Sequence, residues 1–414
     1  MRYKQSSPKC GEVTVPQNDK IQGKNSDLHI YVSYTNDEDD DYIAIASWCQ
    51  FVDGLGPTHG EVNFNLNFMG KKNINDPIEF EDLMELLIHE ITHILGFSNS
   101  DIPKWITHNK TPHIEPTIKQ SIRGVEHLLI KTPNVLEFAR QYFGCPTLLG
   151  MPLDYSDDYQ SSDSHWKSTD IHNEYMNTFT SITQAYFSGF TANLLRDTGF
   201  YFQINASMEE KTFYGKGAGC EHILGKCKSS GREYCDPKTD QDLCDYYHHG
   251  SSICKVGYQN DADCNTLNAF ANARCWDTKS NLNTVRAQEN QSVKFGTDSR
   301  CFNADLWNQN KGKSQIKKKS GYCYKYECSS NGQQVNIWVG QTKIICKKNQ
   351  EILNVKGYSG QIQCPENIQD FCVFKKMCPN FCSANGYCLN SNCYCAKGFS
   401  GIDCNTKLPT LNKL

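Results

Sequence analysis

His89, Glu90 and His93 stand in the order His-Glu-Ile-Thr-His. Residues four apart share one face of a helix, so two imidazoles at that spacing can hold one metal ion. Neutral imidazole suits zinc, and a catalytic Zn2+ needs a third protein ligand and an open position for water. Glu90, beside the first imidazole, can take a proton from a water that such an ion acidifies, and the chemistry would be attack of that water on an amide carbonyl. Two histidines on a surface helix can also be incidental, but both of these fall inside the longest apolar-periodic stretch of the chain. In the longer pattern HExxHxxGxxH, Gly96 fits while the last position holds Asn99. His108, His113, His127, His165 and His172 follow before the cysteines crowd in, and the spacing leaves the third ligand open among them.

The element that must carry the pair is a helix from about Pro77 to Leu95. Asp76 can cap it, Pro77 suits the first turn and Glu79 completes a capping-box pattern. Phe80, Leu83, Met84, Leu87, Ile88, Ile91 and Leu95 recur at three- and four-residue steps and predict one buried apolar face. Gly96 suits the left-handed turn that ends a helix. Upstream, Asp27–Tyr34 and Tyr42–Cys49 read as strands around an acidic, solvated turn at Asn36–Asp41. Glu61–Phe68 alternates strictly, with Val62, Phe64, Leu66 and Phe68 on one side, the period of a half-buried strand. Downstream, 124–143 and 180–198 are each expected to contain a helix, and Lys317–Lys319 an exposed loop.

At 414 residues the chain has room for two or three domains. A net charge of -4 gives no reason to expect nucleic acid, and no apolar run approaches the ~18 residues of a transmembrane helix. Of 22 cysteines, Cys10, Cys49 and Cys145 precede residue 215 and the rest lie between Cys220 and Cys404. That density reads as a disulfide framework made in an oxidising compartment, and the absence of any C-x2-C pair argues against structural zinc clusters. Sequons at Asn109, Asn205 and Asn290 agree with secretion. MRYKQSSPKC has no signal-peptide pattern and NTKLPTLNKL no lipid-anchor tail, so the expectation is an extracellular or luminal protein whose sequence here starts late. Cys378, Cys382, Cys388, Cys393, Cys395 and Cys404, with GFSG at 398–401, resemble an EGF-like module. If these six close among themselves, three cysteines remain before residue 215 and 13 after it, so full pairing needs at least one bridge between the two regions.

The segments CGEVTVP (10–16), HEITHILGFS (89–98), SHWKSTDIHNEYM (164–176), LRDTGFY (195–201) and GKGAGC (215–220) resemble the leishmanolysin family of zinc metalloproteases in order and spacing. The likeness is dense over residues 10–220. It implies an α+β fold: a metzincin-like core with a twisted mixed sheet and an active-site helix, then a disulfide-rich domain and the small EGF-like module. It implies that His89, His93 and His165 bind one catalytic zinc, that Glu90 is the base, that Met176 supports the site from a Met-turn, and that Cys10–Cys49 and Cys145–Cys220 are bridged. His172 is the weaker rival for third ligand; His222, His248 and His249 read as surface or packing residues. Family members usually carry a signal peptide and a prodomain cysteine that blocks the zinc; Cys10 matches a mature-domain position instead. The expected units are 1–98 with the helix, 99–219 with the third ligand, 220–376 cysteine-rich, 377–405 EGF-like and a tail at 406–414.

The favoured function is a zinc endopeptidase acting on proteins or peptides, the substrate extended along an exposed strand, with Glu61–Phe68 the candidate edge. Pocket shape is expected to depend on loops around Ser98–Gly144. The rival class is an inactive extracellular adhesion protein on the same scaffold, binding partners through the EGF-like module; a purely structural zinc is a third reading.

Overall fold

Of the strands that precede the histidine-bearing helix, three form one sheet in the computed structural model, which describes residues 1–39, 42–154, 163–178, 181, 183–227, 232–255, 264–280, 290–312, 318–373 and 377–409. β1 (His29–Thr35), β2 (Ala44–Val52) and β3 (Gly56–Asn65) lie in the order β1–β3–β2, with β3 parallel to β1 and antiparallel to β2. This corrects two expectations. The strand expected over Glu61–Phe68 begins earlier and stops at Asn65, where the Asn65 side chain caps a one-turn helix, Leu66–Met69. It is also central rather than an edge, and Thr58, His59, Glu61, Asn63 and Asn65 are buried with it. Those polar residues are hydrogen-bonded: Glu61 accepts the Glu12 N–H at 2.9 Å, and Asn63 donates to Ser33 Oγ at 2.7 Å. Alternation marked a half-exposed strand because it cannot register a polar face covered by other chain. The covering N-terminal segment is tied down by the Cys10–Cys49 disulfide.

α1 (Pro77–Ile94) begins as the sequence predicts. Asp76 Oδ1 accepts the N–H groups of Ile78 and Glu79, both at 3.2 Å, satisfying two donors that a helix start leaves unpaired. The capping box does not close, because Glu79 turns away to take the Asn73 N–H at 2.6 Å. Gly96 ends the helix at φ +118°, with Phe200 packed against it so that a Cβ would lie 3.2 Å from the ring. The face differs from expectation. The apolar stripe from Phe80 to Leu95 is half-buried, whereas Glu81, Glu85, Leu86, His89, Glu90, Thr92 and Ile94 are buried. Chain from far downstream covers that polar flank: Glu85 accepts the Ala185 N–H at 3.0 Å, and Asp82 pairs with Arg274 at 2.9 Å.

Beyond α1 come the hairpin β4 (Thr117–Ile122) and β5 (Val125–Ile130), α2 (Pro133–Phe143), β6 (Met151–Pro152), which pairs with β5, and α3 (Gly189–Asp197). The helix expected in 124–143 therefore fills only its second part. Phe97, Trp105, Phe143, Trp166, Met176 and Phe190 share the largest core. The cysteine-rich stretch contains the hairpin β7 (Gly250–Lys255) and β8 (Thr266–Arg274), and a six-stranded sheet with its own core. All 22 cysteines are bridged. Cys145–Cys220 is the bridge that the odd counts require, and the last six close as Cys378–Cys388, Cys382–Cys393 and Cys395–Cys404. Lys318 is exposed, as expected, and pairs with Asp242 at 2.8 Å, while Lys319 is half-buried and donates to Gln363 Oε1 at 2.9 Å. Lys317, Asp40 and Asp41 lie outside the described residues.

His248 is buried in the cysteine-rich core, within hydrogen-bond distance of Cys301 O (2.7 Å) and Glu366 Oε2 (3.1 Å). Burial, aided by the Arg232 guanidinium, pushes its imidazole down to about 4. An unfolded chain takes up that proton near 6.5, so between about 6.5 and 4 the unfolded state binds more protons. The contribution of neutral His248, at most about 3 kcal/mol, is therefore present above 6.5 and lost as pH falls towards 4. Melting temperature followed over this window should fall less steeply in His248→Gln than in the parent; equal slopes would refute it.

Candidate metal centre

α1 carries buried His89 and half-buried His93 one turn apart, and the segment after β6 brings in buried His165. Their Nε2 atoms form a triangle: 3.1 Å from His89 to His93, 3.2 Å from His93 to His165 and 3.2 Å from His165 to His89. Two of the rings are oriented from behind, His89 Nδ1 by Tyr175 O at 2.5 Å and His93 Nδ1 by Phe97 O at 2.7 Å. A carbonyl only accepts, so each of these rings carries its proton on Nδ1 and turns a lone pair inward. Burial pushes His89 down to about 3 and lowers His93, favouring the neutral, ligating form. Inward lone pairs at such distances repel unless a cation lies between them. Tetrahedral zinc with Zn–N of ~2.0–2.1 Å would separate its nitrogens by about 3.3 Å, so the donor set fits one such ion.

The rivals for the third position lie elsewhere. His113 Nε2 bonds to Asp197 O at 2.7 Å, His127 Nε2 lies 3.3 Å from Lys167 Nζ, and His172 stacks obliquely on Tyr214 at 5.5 Å between centroids. His222 packs between the Phe143 and Tyr234 rings, and His249 against Trp276, as packing residues should.

Glu90 is buried at the cleft floor. Burial pushes its carboxyl up to about 8, partly offset by the Ala46 N–H of β2. That contact means the open edge of β2, not β3, runs beside the carboxylate.

Met176 is wholly buried, and its carbonyl accepts the Trp166 N–H at 2.8 Å, which ties the turn to the residue after His165. Sequence reasoning missed what holds this turn. Glu174, buried, accepts the Met176 N–H at 2.5 Å, Ser188 Oγ at 2.8 Å and Thr191 Oγ1 at 2.5 Å. One carboxylate thus anchors, to the start of α3, the turn whose Tyr175 carbonyl orients His89. The available signal was an acid two positions before Met176. Outer partners of metal ligands affect affinity by ~10–100-fold. Glu174→Gln, which trades acceptor for donor, should weaken zinc binding by about tenfold in chelator competition; unchanged affinity would mean the turn holds without it.

A histidine triangle, a neighbouring buried carboxylate and a strand edge thus share one site. The Peptidase M8 pattern, described as leishmanolysin, matches residues 4–236; this is more than half of the chain, which belongs to that family. The chain is similar to the ciliated left-right organizer metallopeptidase of Mus musculus, 26% identical over 375 residues, or 85% of this chain and 51% of the mouse protein. It is similar to the leishmanolysin of Leishmania donovani, 27% identical over 229 residues, 54% of this chain and 35% of that one. The leishmanolysin-like peptidase of Drosophila melanogaster is 24% identical over 476 residues, covering 86% and 68%. The chain spans about half the length of the mouse relative and about a third of the Leishmania one.

Proposed function

We propose that the chain is a zinc-dependent endopeptidase in which His89, His93 and His165 hold the ion and Glu90 is the general base. The observation that carries this is the triangle of inward Nε2 atoms at 3.1–3.2 Å beside a buried carboxylate. Zinc bound there would supply Lewis-acid polarisation of the scissile carbonyl. The substrate backbone pairs along the open edge of β2 as an added strand, bringing the carbonyl over the histidines. Glu90 takes the proton of the attacking water and passes it to the departing amine, a task suited to a carboxyl raised towards neutral pH. Tyr175 O and Phe97 O keep His89 and His93 aimed, and Met176 supports the turn beneath them. The disulfide framework supports an extracellular or luminal setting, and no described helix is long and apolar enough to cross a membrane. The last 30 residues or so fit an EGF-like module by their bridge pattern, and would be the place for partner binding.

The test is casein cleavage by the purified oxidised chain before and after chelation, then with zinc restored. Activity that disappears and returns supports the reading; a folded, zinc-loaded chain that cuts nothing moves the weight to the adhesion function.

A further inference from the structure

We infer that the six-cysteine module at 377–405 braces the metal centre, with Phe381 the residue that positions α1 and, through it, His89 and His93. It rests on the reading of those histidines as zinc ligands given above. Residues 98–144, expected to shape the surroundings of the site, line none of the cavity of about 650 Å³ beside His89 and Glu90. Chain from the far end of the molecule reaches the helix instead.

The module has little core of its own. Its cysteines and half-buried Phe399 form one small cluster, and Phe381 is buried outside it. The segment Pro379–Ala384 lies against α1. There Phe381 borders a narrow crevice with Ile78, Glu81, Asp82, Glu85 and Trp276. Ile78, Asp82, Glu85 and His89 follow one another at helical steps of four, three and four. Phe381 therefore sits on the face of α1 that carries the first histidine, upstream of it. Glu81 and Glu85 are buried beneath this cover. With the ring removed, water would reach both carboxylates and compete for the Glu85 bond to the Ala185 N–H at 3.0 Å.

A second attachment reaches the other side of the site. Asn390 donates its side-chain N–H to Ser207 O at 3.0 Å and its backbone N–H to Glu210 Oε1 at 3.4 Å. The other Glu210 oxygen accepts the Phe187 N–H at 2.9 Å. Phe187 adjoins Ser188, which bonds to Glu174, the carboxylate that anchors the Met176 turn. The module thus grips the helix bearing His89 and His93 and also the chain to which the turn behind His89 is tied. Cys378–Cys388, Cys382–Cys393 and Cys395–Cys404 stiffen the module, so the grip is not absorbed within it.

The experiment compares the full oxidised chain with Phe381→Ala, Phe381→Leu and Ile402→Ser, the last at a position of the same module that is 82% exposed. Zinc affinity by chelator competition and hydrogen exchange of the amides of 77–95 are measured where every variant is folded. Phe381→Ala should weaken zinc binding by about tenfold, the lower end of what outer supports of metal ligands contribute. Exchange should quicken over 86–95, around the histidines, as well as over 77–85. Phe381→Leu should restore most of both, and Ile402→Ser should change neither. A role confined to fold stability leaves zinc affinity unmoved in the folded protein. Unchanged affinity, quickened exchange confined to 77–85, or an Ile402→Ser effect equal to that of Phe381→Ala overturns the brace. If Phe381→Ala does not fold, Phe381→Val takes its place under the same criteria. A parent that binds zinc but cuts no casein ends the peptidase reading, while affinity and exchange still decide the brace. A parent that binds no zinc overturns both.

Discussion

Glu90→Ala should lose casein cleavage by about 10²–10⁴-fold, the range a positioned proton-transfer group contributes, while keeping its zinc. The two effects separate because Glu90 points to the cleft and the β2 edge, whereas the metal-facing atoms belong to the three histidines. The carboxyl is buried and its Ala46 contact is a backbone N–H, so alanine removes a desolvated acid and little fold stability is expected to go with it. Metal analysis on the purified variant together with its turnover is the required measurement. Loss of zinc along with activity would assign Glu90 to the metal; retained turnover would take the base away from it.

His165→Ala should weaken zinc binding by more than the ~10–100-fold caused by losing an outer partner, since it removes a ligand outright. Two imidazoles on one helix turn would remain, with no third donor to close the site. His172→Ala is the matching control, because its ring lies against Tyr214 and apart from the triangle. Chelator competition on both variants separates them. Equal losses, or a larger one for His172, would overturn the ligand set.

Much of this site was legible because it is local. The four-residue spacing of His89 and His93, the Asp76 cap and the Gly96 turn are short-range features that a helix must obey. The third histidine, 72 residues beyond His93, has no local signature, and only the likeness of the segment at 164–176 singled it out. What stayed hidden involves chain from far away. The buried flank of α1 looked solvent-facing because Glu81, Glu85 and Asp82 find their cover around Ala185 and Arg274. β3 looked like an edge because its polar residues gave no sign that the N-terminal segment lies over them. Strand order and cleft walls are set by non-local pairing, which neither periodicity nor propensity encodes.

The Cys145–Cys220 bridge and the histidine triangle overlap along the chain. An ion joining His93 to His165 closes a loop over 72 residues, and the disulfide closes one over 75; the two share the stretch from 145 to 165. Each clasp restricts the unfolded chain by about 4 kcal/mol in the loop-entropy picture, but the shared stretch is restricted only once. A metal held there and the disulfide would therefore stabilise the fold by less than the sum of their separate effects, each mattering most when the other is missing.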